Sequence, residues 1–199
     1  MKNSYVTEGR VNQKLETRNK ILASARYFIE KGTDFTLETI AKKAGISRAT
    51  VYRYYSSVEI LSSEAVLDIQ TKSPKAILED SKESDMPTVV KAIQQYYNVL
   101  ALNNEEAFRT YVSIAMTNND STIKRGARRK KTLQLALERA DIPVKDKNNL
   151  INFLTVIMGI EPIVVTKDVC GLNNQESKEV LSWGLEMILR GLSVASKSK

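Results

Sequence analysis

The chain has 199 residues, 42% of them hydrophobic, with one cysteine, no histidine and a formal net charge of +7. Without histidine it lacks the commonest general base and the commonest transition-metal ligand, and a lone Cys170 gives no disulfide framework. No catalytic residues, metal or cofactor are therefore expected. No apolar run approaches the roughly 18 to 20 residues of a membrane span, and the first twenty residues hold no apolar core of a secretory signal.

The apolar period is helical almost throughout, which predicts an all-α chain of about nine helices. Residues 1–13 read as a flexible arm. Ile21, Leu22, Ala25, Phe28 and Ile29 mark one face of a helix from about Lys14 to Lys31, stopped by Gly32. Thr36, with Thr39 three residues on, caps a short helix whose inner face is Ile40, Ala41 and Ala44, and Gly45 ends it. Ser47 caps the next helix, to about Tyr55, and Ser57 caps a longer one carrying Ile60, Leu61, Ala65, Leu67 and Ile69. Residues 1–57 carry 11 Lys and Arg against 5 Asp and Glu, a net of +6, so nearly all the excess charge sits in the first quarter. That is the footprint of a polyanion-binding head on a near-neutral body, or a small solvated domain with clustered charge.

Ser73–Pro87 reads as a helix end and a loop. The segments around Val89–Leu100 and Phe108–Met116 are helical. A loop at Asn118–Thr122 precedes a helix from about Ile123 to Ala140. Leu150, Ile151, Leu154, Ile157 and Met158 open a long apolar helix that runs through Pro162 toward Asp168, with a kink at the proline. Gly171 ends it, Asn173 and Glu176 form a capping-box-like start for the last helix, and the tail from Ser193 reads as frayed.

Two short helices joined at a glycine follow the helix-turn-helix plan. Ala41 is small where the helices approach, and Gly45 supplies the positive φ of the turn. If Val51 and Tyr55 face inward, Arg48, Ala49, Tyr52 and Arg53 face outward on a helix that suits a major groove. Arg48 fits a bidentate contact to guanine; Thr50 and Tyr52 fit thymine methyls or phosphates. Arg53 and Tyr54 fall at the sugar–phosphate edge, and Thr36, Ser47 and Ser57 lie at helix N-termini whose N–H groups suit phosphate. Lys43 adds charge beside them. The alternative is a solvated basic face with the tyrosines in the core.

Thr17 to Ala25, then Phe28 and Gly32, resemble the first helix of the tetracycline-repressor (TetR) family of bacterial transcription regulators. The likeness continues through Phe35 to Ser47, Arg48 to Tyr55, and Ser57, Glu59 and Leu61. One position departs: many members have Lys where this chain has Val58, which removes one phosphate contact and about one unit of salt slope. The resemblance implies an N-terminal DNA-binding domain (1–57) and a ligand-binding and dimerisation domain (58–199). It also implies a cytoplasmic homodimer on a palindromic double-stranded operator, most simply a repressor released by a small-molecule effector. An activator, a ligand-independent regulator and, last, a helical enzyme or carrier are the other readings.

In the body, the resemblance implies pairing of the last two helices with their copies. Leu154, Ile157, Val180, Gly184, Leu185 and Ile188 are the interface candidates. Tyr96, Tyr97, Phe108, Tyr111, Met116, Phe153 and Met158 are pocket candidates, and plain core positions otherwise. Glu161 is the only carboxylate between Leu150 and Lys167; it either pairs with an arginine or faces a ligand cation or water. Lys124–Lys131 holds six basic residues in eight. That run suits an anionic ligand, acids such as Glu161, a solvated face or a second nucleic-acid patch.

Overall fold

A computed structural model describes residues 2–82, 84–117 and 127–197. All regular elements among them are helical, eleven α-helices and one short 3-10 turn. The expected loop at Asn118–Thr122, the start of the helix after it, and Lys124, Arg125 and Gly126 lie outside the described residues. The chain divides into two compact units, one built from residues 1–71 and 106–124, the other from 72–105 and 125–199.

The first unit contains α1 (Lys2–Glu30), α2 (Leu37–Ala44), α3 (Arg48–Tyr54), α4 (Val58–Gln70) and nearly all of α7 (Glu105–Thr117). α1 starts at Lys2, so the segment expected as an arm continues the helix; Gly9 is the only strong breaker in it. Ile21, Leu22 and Ala25 from α1, Leu37, Ile40 and Ala41 from α2, Val51, Tyr55, Leu61 and Ala65 form its core. Burying each large aliphatic side chain contributes roughly 1.5–3 kcal/mol, and the alanines let the helix axes close. α2 stops because Gly45 takes φ 66°, and the following Ile46 N–H donates to the Ala41 carbonyl at 3.0 Å. α4 belongs to this unit rather than starting the next, because ion pairs tie it to α1: Arg18 with Glu64, and Arg26 with Asp68 at 2.6 Å.

The second unit holds α5 (Pro74–Leu78), the 3-10 turn (Glu79–Ser81), α6 (Met86–Asn103), α8 (Ala127–Ala136), α9 (Val144–Val156), α10 (Ile160–Asp168) and α11 (Asn174–Lys197). α6 is central and packs on α8, α10 and α11. Three expectations change here. Ser73–Pro87 is not all loop: Ser73 caps α5, accepting from the Ala76 N–H at 3.2 Å, and Pro74 begins it, where its missing N–H is harmless. The single kinked helix is instead two, α9 and α10, bent by 52°. The break lies at 157–159, before the proline. Pro162 then sits in the first turn of α10, where no intrahelical N–H is needed. The Asn173–Glu176 capping box forms as expected: the Asn173 N–H donates to Glu176 Oε2 at 2.8 Å, and the Glu176 N–H to Asn173 Oδ1 at 3.0 Å. α11 continues to Lys197 through the segment read as frayed.

Candidate nucleic-acid interface

α3 has seven residues, enough for one inward and one outward face. Val51 and Tyr55, four apart, are buried in the core of the first unit, which leaves Arg48, Ala49, Tyr52 and Arg53 exposed. Ser47 fixes the start: its Oγ accepts from the Thr50 N–H at 3.1 Å and lies 2.8 Å from the Thr50 hydroxyl. Thr50 is half-buried and its hydroxyl is engaged with the cap. Thr36 and Thr39 close a reciprocal capping box on α2, and Ser57 accepts from the Ile60 N–H at 3.5 Å. All three cap side chains thus serve their own helices, and the remaining first-turn N–H groups carry the positive helix ends.

The three tyrosines separate. Tyr52 is 49% exposed, and its hydroxyl donates to Glu38 Oε1 at 2.6 Å. That hydrogen bond, with backbone and Thr36 donors and nearby Arg48, holds the Glu38 carboxyl below the usual range. Tyr54 is half-buried against the core, and its hydroxyl donates to the Lys14 carbonyl at 3.3 Å. That bond braces α3 on α1, so the hydroxyl does not stand free at a phosphate edge. Tyr55 donates to Glu64 Oε2 at 3.1 Å, and Glu64 pairs with Arg18. Burial, then the Glu64 charge, raise the Tyr55 hydroxyl far above its ordinary range. Lys43 is exposed, with Nζ 3.7 Å from the centroid of the Tyr27 ring.

Val58 opens α4 and packs, partly buried, against the core. The position read as a missing phosphate contact is here an apolar one. Glu64, Asp68 and Glu38 are residues that periodicity alone passed over. Their signal was present, since Glu64 and Asp68 fall on the Leu61–Ala65 stripe, an unusual place for carboxylates without partners.

The body candidates are divided between the units. Phe108, Tyr111 and Met116 belong to the first, and Tyr96, Tyr97, Phe153, Met158 and Glu161 to the second. Tyr97 is buried with its hydroxyl 3.0 Å from the Thr132 hydroxyl, and burial pushes its pKa up to about 12. Tyr96 accepts from the Lys72 N–H at 2.7 Å. Met158 is fully buried, whereas Met116 and Phe153 face outward. Of the interface candidates, Leu154 and Leu185 are fully buried inside the unit, so they are its core rather than a face for a second chain. Ile157, Gly184 and Ile188 are half-buried and Val180 is exposed. The outward stripe of α11 is instead Val180, Trp183, Gly184 and Met187, with Trp183 64% exposed.

Glu161 is paired, as one of the sequence readings had it. Arg129 Nη2 donates to its Oε1 at 2.9 Å, and Nη1 lies 2.8 Å from Oε2. The same guanidinium donates to the Met158 carbonyl at the break between α9 and α10. Gln94 Nε2 donates to the Ile157 carbonyl at 3.1 Å and to Leu181 O at 3.0 Å, and Asn98 Oδ1 accepts from the Gly159 N–H at 2.8 Å. The broken backbone is thus satisfied by side chains of α6 and α8, which is what allows it to be buried. Among the described residues, no group of three or more Cys, Asp or Glu side chains is gathered to hold a metal.

Residues 21–64 match the model of the family described as bacterial regulatory proteins, tetR family. No curated protein matches the chain. Two solved structures resemble it, both of HlyIIR mutant proteins. One, in which a segment is substituted by a linker containing two thrombin sites, is 17% identical, covers 85% of this chain and 98% of its own, and has a TM-score of 0.39. The other, with a segment substituted by alanine, is 16% identical over the same shares, with a TM-score of 0.35. The matched residues run from the middle of α1 through the helix-turn-helix into α4, the segment whose buried stripe and exposed basic face are described above; residues 21–64 are thus a domain of the tetR regulatory-protein type.

Proposed function

We propose that the chain is a non-enzymatic transcription regulator that lays α3 in the major groove of a palindromic operator as a cytoplasmic homodimer. It acts as a repressor released by a small-molecule effector. The observation that carries the reading is the outward face of α3, where Arg48, Ala49, Tyr52 and Arg53 stand exposed over a fully buried Val51. Arg48 at the N-terminal end is suited to guanine O6 and N7, and Arg53 to the backbone. Thr36, Lys43, Ser47, Thr50 and Ser57 lie around it at helix ends or on the adjoining basic surface.

The reading head lies within residues 1–57, with α4 packed in the same compact unit, and the body lies in the remainder of the chain. Two heads read half-sites about 34 Å apart, or a multiple of that. The outward stripe of α11, with Trp183 at its centre, is the self-association face: aromatic anchors dominate such interfaces, and an exposed apolar stripe on a helix requires a partner. The effector binds in the body, and release requires it to prefer the conformation that does not fit the operator. Selection of bound fragments from genomic DNA tests the reading, with Arg48→Ala as control. Sequence-specific retention that Arg48→Ala abolishes supports it; retention unchanged by that substitution refutes it.

A further inference from the structure

The reading surface carries one feature that charge alone argues against. Glu38, an acid, sits among its basic residues, on the second helical position of α2. Its carboxylate accepts a hydrogen bond from the Tyr52 hydroxyl at 2.6 Å. A phenolic hydroxyl has one proton and can donate it only once. Left free, Tyr52 would donate to phosphate oxygens or to guanine O6 and N7. Engaged with Glu38, it presents outward only its oxygen lone pairs and its ring.

We propose that Glu38 is a specificity-positioning residue of the DNA-reading surface, which makes Tyr52 a hydrogen-bond acceptor. Tyr52 and Glu38 together then favour, on the strand they face, a base whose major-groove edge offers an exocyclic amino group, adenine N6 or cytosine N4, over guanine, whose edge offers only acceptors. The carboxylate also opposes phosphate and so weakens binding to DNA of arbitrary sequence. This assignment rests on the proposal that α3 reads DNA. Its geometry is independent of that proposal: the pair joins α2 to α3 across the turn, 14 residues apart in sequence. Both side chains are solvent-accessible, and Tyr52 lies four residues after Arg48, on the same exposed face of α3.

The experiment is selection from random-sequence duplex DNA with the full-length chain, comparing the parent with Glu38→Ala, Glu38→Gln, Tyr52→Phe and Arg48→Ala. A good base contact is worth about 1–3 kcal/mol of discrimination, roughly five- to 150-fold. The parent is expected to show a preference of about tenfold or more for adenine or cytosine over guanine on one strand, at one position of each half-site. Glu38→Ala and Tyr52→Phe should flatten that position while leaving the others, and Glu38→Ala should raise affinity for arbitrary DNA. Glu38→Gln, whose amide oxygen can still accept the hydroxyl proton, should keep the preference. If the parent selects no sequence, or Arg48→Ala selects as the parent does, the DNA-reading proposal itself falls, and this assignment with it. If the parent selects a site that Arg48→Ala loses but Glu38→Ala retains at every position, only the role of Glu38 is overturned.

Discussion

Gly159 lies between α9 and α10 at φ 87° and ψ −157°, a backbone region essentially confined to glycine. A Cβ built there would stand 2.5 Å from Arg129 Nη1, 3.1 Å from its Cζ and 3.2 Å from its Cδ. Gly159→Ala therefore meets two penalties. The backbone must hold an L-residue in a sparsely populated conformation, about 1–3 kcal/mol. The guanidinium must also leave the Met158 carbonyl and shift against Glu161, and a hydrogen bond to a charged group contributes about 1.5–3 kcal/mol. Together these give a loss of about 3–5 kcal/mol, a fall of roughly 6–20 °C in Tm for a chain of this size. Thermal unfolding followed by circular dichroism, at one fixed protein concentration, measures it. The clash is tested separately by a double-mutant cycle with Arg129→Ala. With the guanidinium gone, Gly159→Ala should cost about 1–2 kcal/mol less than it does in the parent. A Gly159→Ala protein within about 1 kcal/mol of the parent, or a strictly additive double mutant, would refute the reasoning.

Tyr97 titrates at about 12 and Tyr55 higher, both because burial disfavours the phenolate, whereas an unfolded tyrosine ionises near 10. Above pH 10 the unfolded chain therefore holds fewer protons than the folded one, and stability falls as pH rises, by up to about 1.4 kcal/mol per pH unit for each tyrosine. The stabilisation is fully present below pH 10, and urea midpoints across pH 9–12 should be less steep in Tyr97→Phe; equal slopes would contradict the burial argument. Val58→Lys is expected to steepen the salt dependence of DNA retention by about 0.9 in log–log slope per added phosphate contact, and to lower Tm slightly because Val58 packs on the core. A salt series in a fluorescence anisotropy assay reads the slope, and an unchanged slope would remove this position from the phosphate contacts. Trp183→Glu places a charge on the exposed stripe of α11 and is expected to weaken self-association about thirtyfold or more, by about 2 kcal/mol, in sedimentation velocity. Association equal to the parent's would move the interface elsewhere.

The helix-turn-helix was legible because every signal in it is local. Thr36, Gly45 and Ser47 cap within three residues, and Ile40, Ala41 and Val51 mark the inner face by spacing alone. The same locality assigned Tyr55 inward and Tyr52 outward. Short-range chemistry also announced the Asn173–Glu176 start of α11, and Ser73–Pro74 carried a helix-start signal that its polar surroundings obscured.

What only the tertiary structure decided are the pairings between residues far apart in the chain. Pro162 looked like the kink, yet the backbone breaks at Gly159 because Gln94, Asn98 and Arg129, from two other helices, supply the hydrogen bonds that a buried break requires. Leu154 and Leu185 read as interface positions, although apolar periodicity marks a buried face without saying what buries it; packing within the unit covers them completely. Tyr54 donates its hydroxyl to the Lys14 carbonyl, and Tyr52 donates its hydroxyl to Glu38 Oε1. Sequence determined that Tyr52 points outward and Tyr55 inward, through the 3.6-residue period of a capped helix, but it left Tyr54 at a phosphate edge that the fold exchanges for α1. The fold determined what each hydroxyl bonds to, because a hydrogen bond between helices depends on their approach and not on spacing along the chain.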